Sequence, residues 1–140
     1  MSEEKKLINI KIITPERTLF EGEVEKFIVK SRGEVGDFEI LPGHIPMTAT
    51  IGLGRVILYL PDGSEKQATL FGGFALVEKN VSTILTEVAE WPEEIDLQRA
   101  QEAKERAEAN MRNERMDYAR AHAALVRALE RMKVANGIND

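Results

Sequence analysis

Arg99 and Arg106 lie two helical turns apart, so at about 100° per residue their side chains leave a helix on nearly the same side, with Asp96 roughly 60–80° away. Further on, Arg127 and Arg131 are spaced i, i+4, which stacks them on one helix face. Four guanidinium groups of this kind can grip phosphate oxygens bidentately. Asp96 or Glu90 can accept from an amino or hydroxyl group of the same ligand. The same arginines also suit ordinary surface pairing with Glu102, Glu130 and their neighbours, and residue type alone leaves both readings open.

Other chemistry is poorly supplied. The chain has no cysteine, which excludes disulfides, thiolate metal sites and cysteine nucleophiles. Its two histidines, His44 and His122, are far apart and form no HExxH spacing, so no metal site is expected. A GxSxG elbow, a Walker loop and a dinucleotide glycine fingerprint are likewise missing from the sequence, and the residues favour a non-enzyme. His44, in Pro42-Gly43-His44-Ile45-Pro46, reads either as a turn histidine bonded to nearby backbone or as the mark of a rigid contact loop. A formal net charge of −5 argues against generic nucleic-acid binding. Without a signal-like leader or an apolar run near the roughly 20 residues that span a bilayer, the expected location is cytoplasmic.

The arginines sit in a segment unlike the rest of the chain. From Pro92 to Asn136 there is no internal Gly or Pro, Ala, Glu, Arg and Leu dominate, and Gly137 follows where a helix C-cap would use a left-handed residue. A single helix of that length would run about 60 Å, so a break is expected at Asn110-Met111-Arg112-Asn113. The reading is two antiparallel helices, Glu93 to Ala109 and Glu114 to Ala135. Their facing ridges are small: Ala100, Ala103 and Ala107 in the first, with Leu97 near the edge, and Ala121, Ala124 and Ala128 beside Leu125, Leu129 and Met132 in the second. Each buried methyl contributes only about 0.8 kcal/mol, so the hairpin is marginal alone and suited to docking, extending or swinging. A fixed hairpin packed permanently on the rest fits the same pattern. The first helix is mainly acidic and the second mainly basic, which makes them complementary to each other and suits the second to an acidic partner surface.

Before Pro92 the chain alternates like β-strand. LINIKII, TPERTLF and EGEVEKFIVKS read as strands with Gly22 as a turn; GEVGDFEILPGHIP, punctuated by Gly33, Gly36, Pro42, Gly43 and Pro46, reads as a strand entering a fixed loop. GRVILYL and EKQATLF flank a Pro61-Asp62-Gly63-Ser64 turn, Gly72-Gly73 makes a corner, and FALVEK and VSTILTEVA meet at Asn80. Short strands with frequent turns indicate a sandwich or small barrel, and Pro92 marks the junction with the helices. The expected layout is residues 1–90 as a β-sandwich and 91–140 as a helical hairpin.

The ordered set ILPGHIP, FGGFALV, VSTILTEVAE, IDLQRAQEAKERAE and DYARAHAALVRALERMKVA resembles the epsilon subunit of bacterial F-type ATP synthases over the whole chain. The resemblance implies an antiparallel sandwich of ten strands that binds the gamma subunit and rests on the c-ring. It also implies a two-helix domain that folds down beside the sandwich or extends toward the alpha and beta subunits, inhibiting ATP hydrolysis when extended. The location implied is peripheral, on the cytoplasmic face of the bacterial cell membrane.

Some members bind ATP on the contracted hairpin through a motif that Ile95-Asp96-Leu97-Gln98-Arg99-Ala100 matches. The resemblance implicates Glu90, Asp96, Arg99, Ala100, Arg106, Arg127 and Arg131 in that site, with ATP a regulatory ligand rather than a required cofactor. It places Asp37 and His44 at the end of the sandwich that meets gamma and the c-ring. Arg115, Arg120, Arg127, Arg131 and Lys133 become candidates to meet an acidic loop of the beta subunit. Glu39 departs from the family pattern, standing where a glycine is usual. A stand-alone nucleotide sensor whose hairpin closes on ATP is the competing reading.

Overall fold

The computed structural model describes residues 6–32 and 36–138, so the turn signal at Gly33 lies outside the described residues. The first strands are β1 (Ile8–Ile13), β2 (Thr18–Val24), β3 (Lys26–Ser31) and β4 (Phe38–Ile40). They are followed by β5 (Met47–Tyr59), β6 (Glu65–Glu78) and β7 (Val81–Val88). Alternation sets their faces: in β1, Ile8, Ile10 and Ile12 are buried while Asn9 and Lys11 point away.

The strands form one sheet in the order β2-β1-β7-β6-β5-β3-β4. Every neighbouring pair in it is antiparallel except β1 with β7. Side chains from both halves of that order, Ile10 and Val24 from one and Phe27 and Val29 from the other, share a core with Val56, Leu58, Ala68, Leu70 and Ile84. Strands so far apart in the order can share a core only if the sheet folds over on itself, which gives the expected β-sandwich.

Seven strands appear among the described residues where the resemblance implied ten. The difference lies in continuity. β6 passes through Gly72 and Gly73, at φ 85° and 126°, yet keeps its ladders to β5 and β7 on both sides of that point. The corner is a bend inside one strand. Gly22 is likewise no turn: it pairs with Ile10 in mid-strand. The reversal before β2 comes from Thr14, whose Oγ1 accepts from the N–H groups of Glu16 and Arg17.

Two helices follow, α1 (Leu97–Met111) and α2 (Tyr118–Ala135), both shorter at their starts than the pattern suggested. Carboxylates explain the shift. Asp96 accepts from Arg99 N–H and Asp117 from Arg120 N–H, so each caps the helix that begins after it. The stretch Pro92–Glu94 becomes a 3₁₀ turn. The break begins at Arg112, and Asn113 Oδ1 accepts from Arg115 N–H within it. Gly137, at φ 69°, closes α2 as expected, with Ile138 N–H donating to Lys133 C=O in a Schellman arrangement. None of the helices is long and apolar enough to cross a membrane, among the described residues.

The alanines do pack: Ala100, Ala107, Ala121 and Ala128 are buried, and α1 lies on α2. A second buried stripe on α2, Val126, Glu130 and Val134 at i, i+4, i+8, accompanies its packing on β5 and β6. β5 is accordingly buried on both faces from Arg55 to Leu58. Val56 and Leu58 enter the sandwich core, while Arg55 reaches α2.

Gly54 sits at a close approach of β5 to β3, opposite Ser31. A Cβ there would lie 1.7 Å from the Lys30 carbonyl oxygen and 2.8 Å from its carbon, both backbone atoms. Gly54→Ala is therefore expected to lower stability by about 2 kcal/mol, read as an earlier denaturation midpoint at unchanged m-value.

Candidate functional site

The link between sheet and helices is built from polar contacts to one threonine. Thr69 N–H donates to the Glu90 carbonyl at 2.9 Å, and Thr69 Oγ1 accepts from Glu90 N–H at 2.9 Å and donates to Glu90 Oε1 at 3.0 Å. Glu90 Oε1 also accepts from Arg131 Nε at 2.9 Å, and the Arg131 guanidinium lies 4.9 Å from the centroid of the Phe71 ring. Arg131 is thus fixed by a carboxylate and an aromatic face together.

Glu94 secures the next turn. Its Oε1 accepts from Arg17 Nη2 at 2.7 Å and from Trp91 N–H at 2.9 Å, and Arg17 also donates to the Ala89 carbonyl at 3.2 Å. Trp91 stands edge-on to Phe20, with centroids 6.2 Å apart. With the linker held, Asp96 caps α1, and its first two turns face back toward Glu90.

The result is a cleft of about 360 Å³. Glu90, Asp96, Arg99, Ala100, Arg106 and Arg131 all line it, so six of the seven residues expected at a nucleotide site share one wall system. Ala100 and Ala103 provide small apolar lining between the charges. Among the described residues no salt bridge involves Arg99 or Arg106, and both are exposed. The surface-pairing alternative therefore does not describe them, and their donors are open to an anionic ligand.

Arg127 is elsewhere. It lines a groove of about 580 Å³ toward the turn of the hairpin, with Arg115 and Arg120. The i, i+4 spacing that grouped it with Arg131 ignored where α1 ends, and the two arginines face different openings. Lys133, the remaining basic candidate of α2, has Nζ 4.0 Å from Glu130 Oε1.

Asp37 and His44 lie in other loops. Asp37 Oδ1 accepts from Ser31 N–H at 2.9 Å and Oδ2 is 3.7 Å from Lys30 Nζ. His44 Nδ1 is 2.7 Å from the Ile45 carbonyl, and His44 N–H donates to Leu41 C=O at 3.1 Å. His44 shapes its turn, and what the loop presents outward is apolar: Leu41 is 51% exposed and Ile45 76%. Glu39 is accommodated on β4 by Lys26, 3.0 Å away, and this hydrogen bond holds the Lys26 ammonium above its ordinary range.

Two features escaped the residue-level reading. One is the buried pair Arg55 and Glu130, joined at 2.7 Å. The charge of Arg55 inside GRVILYL was the available signal. The other is an apolar outer face on β6 and β7, where Phe74, Leu76, Val81 and Leu85 are exposed and Phe74 lies opposite Leu85. Its signal was FALV, apolar at both parities where a solvated face would alternate.

The Arg17 hydrogen bond, reinforced by Trp91 N–H, holds the Glu94 carboxyl below the usual carboxylate range. Such a group stabilises the fold fully above its unfolded pKa, about 4.3, and loses that contribution as pH falls through its lower folded value. The stability gap between the parent and Glu94→Gln should therefore be constant near neutrality and close below about pH 4, as measured by denaturation at stepped pH.

The sequence matches two family models end to end: the ATP synthase delta/epsilon chain β-sandwich domain over residues 7–92 and the delta/epsilon chain long alpha-helix domain over residues 93–136. It is 44% identical over 134 residues to the ATP synthase epsilon chain of Caldanaerobacter subterraneus subsp. tengcongensis, covering 94% of this chain and 95% of that one. To the epsilon chain of Shouchella clausii it is 41% identical, covering 91% and 94%. A chain of the mitochondrial ATP synthase of Euglena gracilis shares the fold at TM-score 0.79, with 22% identity, 92% of this chain and 81% of that one. With the sandwich, the hairpin and both family models in agreement, the chain belongs to the ATP synthase epsilon-chain family.

Proposed function

We propose that this chain is a non-catalytic rotor subunit whose sandwich joins gamma to the c-ring and whose hairpin regulates ATP hydrolysis. The observation that carries the regulatory part is the composition of the cleft. Arg99 and Arg106 come from α1, Arg131 from α2 and Glu90 from the linker, so the cleft is complete only while the two helices lie together against the sheet. A ligand that needs all three arginines binds the docked hairpin alone and shifts the population toward it.

ATP is the ligand that suits this chemistry. Arg99 and Arg106 offer forked donors to phosphates, the alanine-lined stretch admits a planar ring, and Glu90 or Asp96 can accept from an amino or hydroxyl group. ATP acts here as a regulatory ligand; no cofactor is required. When the hairpin extends, Arg115, Arg120 and Arg127, grouped in their own groove, are free to approach an acidic surface on the beta subunit near the alpha subunit, and Arg131 and Lys133 become available once α2 leaves the sheet.

The sandwich has surfaces for the other partners. The face bearing Phe74, Leu76, Val81 and Leu85 is an apolar patch of the kind that marks a protein interface, and it suits gamma. The Leu41 and Ile45 loop, held in shape by His44 and by Gly43 N–H donating to Asn80 Oδ1, suits the c-ring, and Asp37 stands at the other end of β4 against Lys30 and Ser31. Such an arrangement puts the chain on the cytoplasmic face of the membrane through its complex. A stand-alone nucleotide sensor has no use for that apolar face.

Arg99→Ala and Asp96→Ala are each expected to weaken ATP binding by about tenfold or more in calorimetric titration, with the sheet's denaturation unchanged. Unchanged affinity in both sinks the nucleotide reading. Deleting residues 91–140 should raise ATP hydrolysis by the assembled enzyme under hydrolysing conditions, and the absence of any rise contradicts an inhibitory hairpin.

A further inference from the structure

Consecutive residues of α2 anchor it in two directions. Side chains one residue apart leave a helix about 100° from each other, so neighbours can reach different partners. Glu130 Oε2 accepts from Arg55 Nη1 on β5 at 2.7 Å, with the two side chains 5% and 2% exposed. Its other oxygen, Oε1, faces Arg32 Nε and Lys133 Nζ, each at 4.0 Å. Arg131 turns instead to Glu90 on the linker, at 2.9 Å, and forms part of the cleft wall.

The rest of this interface is less specific. Val126 and Val134 flank Glu130 on the same buried stripe, and aliphatic side chains tolerate a small slide or rotation of the helix. A buried carboxylate facing a buried guanidinium does not, because displacement leaves both charges out of water without their strongest partner. Ion pairs of this type are therefore better at selecting one arrangement than at adding stability.

We propose that Arg55 and Glu130 form the latch of the docked hairpin. Glu130 acts as a positioning residue: it fixes the register of α2 on the sheet and so places Arg131 against Glu90 and in the cleft. The effect on ligand binding rests on the nucleotide reading above, whereas the latch itself is measurable without ligand.

In the full chain, Glu130→Ala is expected to speed amide exchange across α2 by about a hundredfold, the lower end of what breaking a buried pair gives, while amides of β1, β6 and β7 exchange as before. ATP affinity by calorimetry should fall with the docked fraction. Arg55→Met combined with Glu130→Leu separates adhesion from register: slow exchange in α2 should return, yet ATP affinity should stay below the parent's. The proposal is overturned if exchange in Glu130→Ala stays within about twofold of the parent, if the sheet loosens together with α2, or if the Met and Leu pair restores parental affinity. A parent chain that takes up no ATP sinks the nucleotide reading, and α2 exchange alone then decides the latch.

Discussion

Burial of one ion pair, Arg55 with Glu130, governs how the two parts of this chain meet. Arg55 rises from a strand whose neighbours Val56 and Leu58 fill the sandwich core, so its backbone position is fixed by packing on the opposite face. Glu130 lies on a helix whose other contacts are mostly alanine and valine. A cation held by packing beneath a helix gives that helix a preferred seat. The cost of dehydrating both groups makes every seat but one unfavourable.

The sharing of labour between sheet and helices follows. The sandwich has a continuous aliphatic core and backbone ladders of its own. The helices have small buried side chains toward each other and a mixed polar contact toward the sheet, which is the low-stability end of the molecule. A cleft assembled from α1, α2 and the linker reports on that low-stability contact. A site carried by the sandwich alone would be blind to it.

Much of this was visible in residue order, but to different depths. Period-two alternation announced β1 and β7, Pro61-Asp62-Gly63-Ser64 announced its turn, and Gly137 announced the end of α2, because each is decided within a few residues. The IDLQRA run together with Arg106 and Arg131 pointed to the residues that line the cleft. What local pattern could not convey was register. Arg127 and Arg131 look equivalent on a helical wheel, and only the packing of α2 on both α1 and β5 sends them to separate openings. Glu130 looked like one more surface carboxylate for the same reason, and Gly72 and Gly73 looked like a strand end because positive φ in a glycine pair is compatible with either a turn or a bend inside a ladder.

The parallel pairing of β1 with β7 bears on how the molecule is made. β1 is the first strand described and finds one of its neighbours only in the last, with Asn9 opposite Val81 and Ile13 opposite Leu85. During synthesis, the hairpin of β1 and β2 must wait with one edge unpaired until Val88 has left the ribosome. The helices emerge after that point. They therefore meet a sheet that is already able to close, so the surface on which α2 docks is complete before α2 emerges.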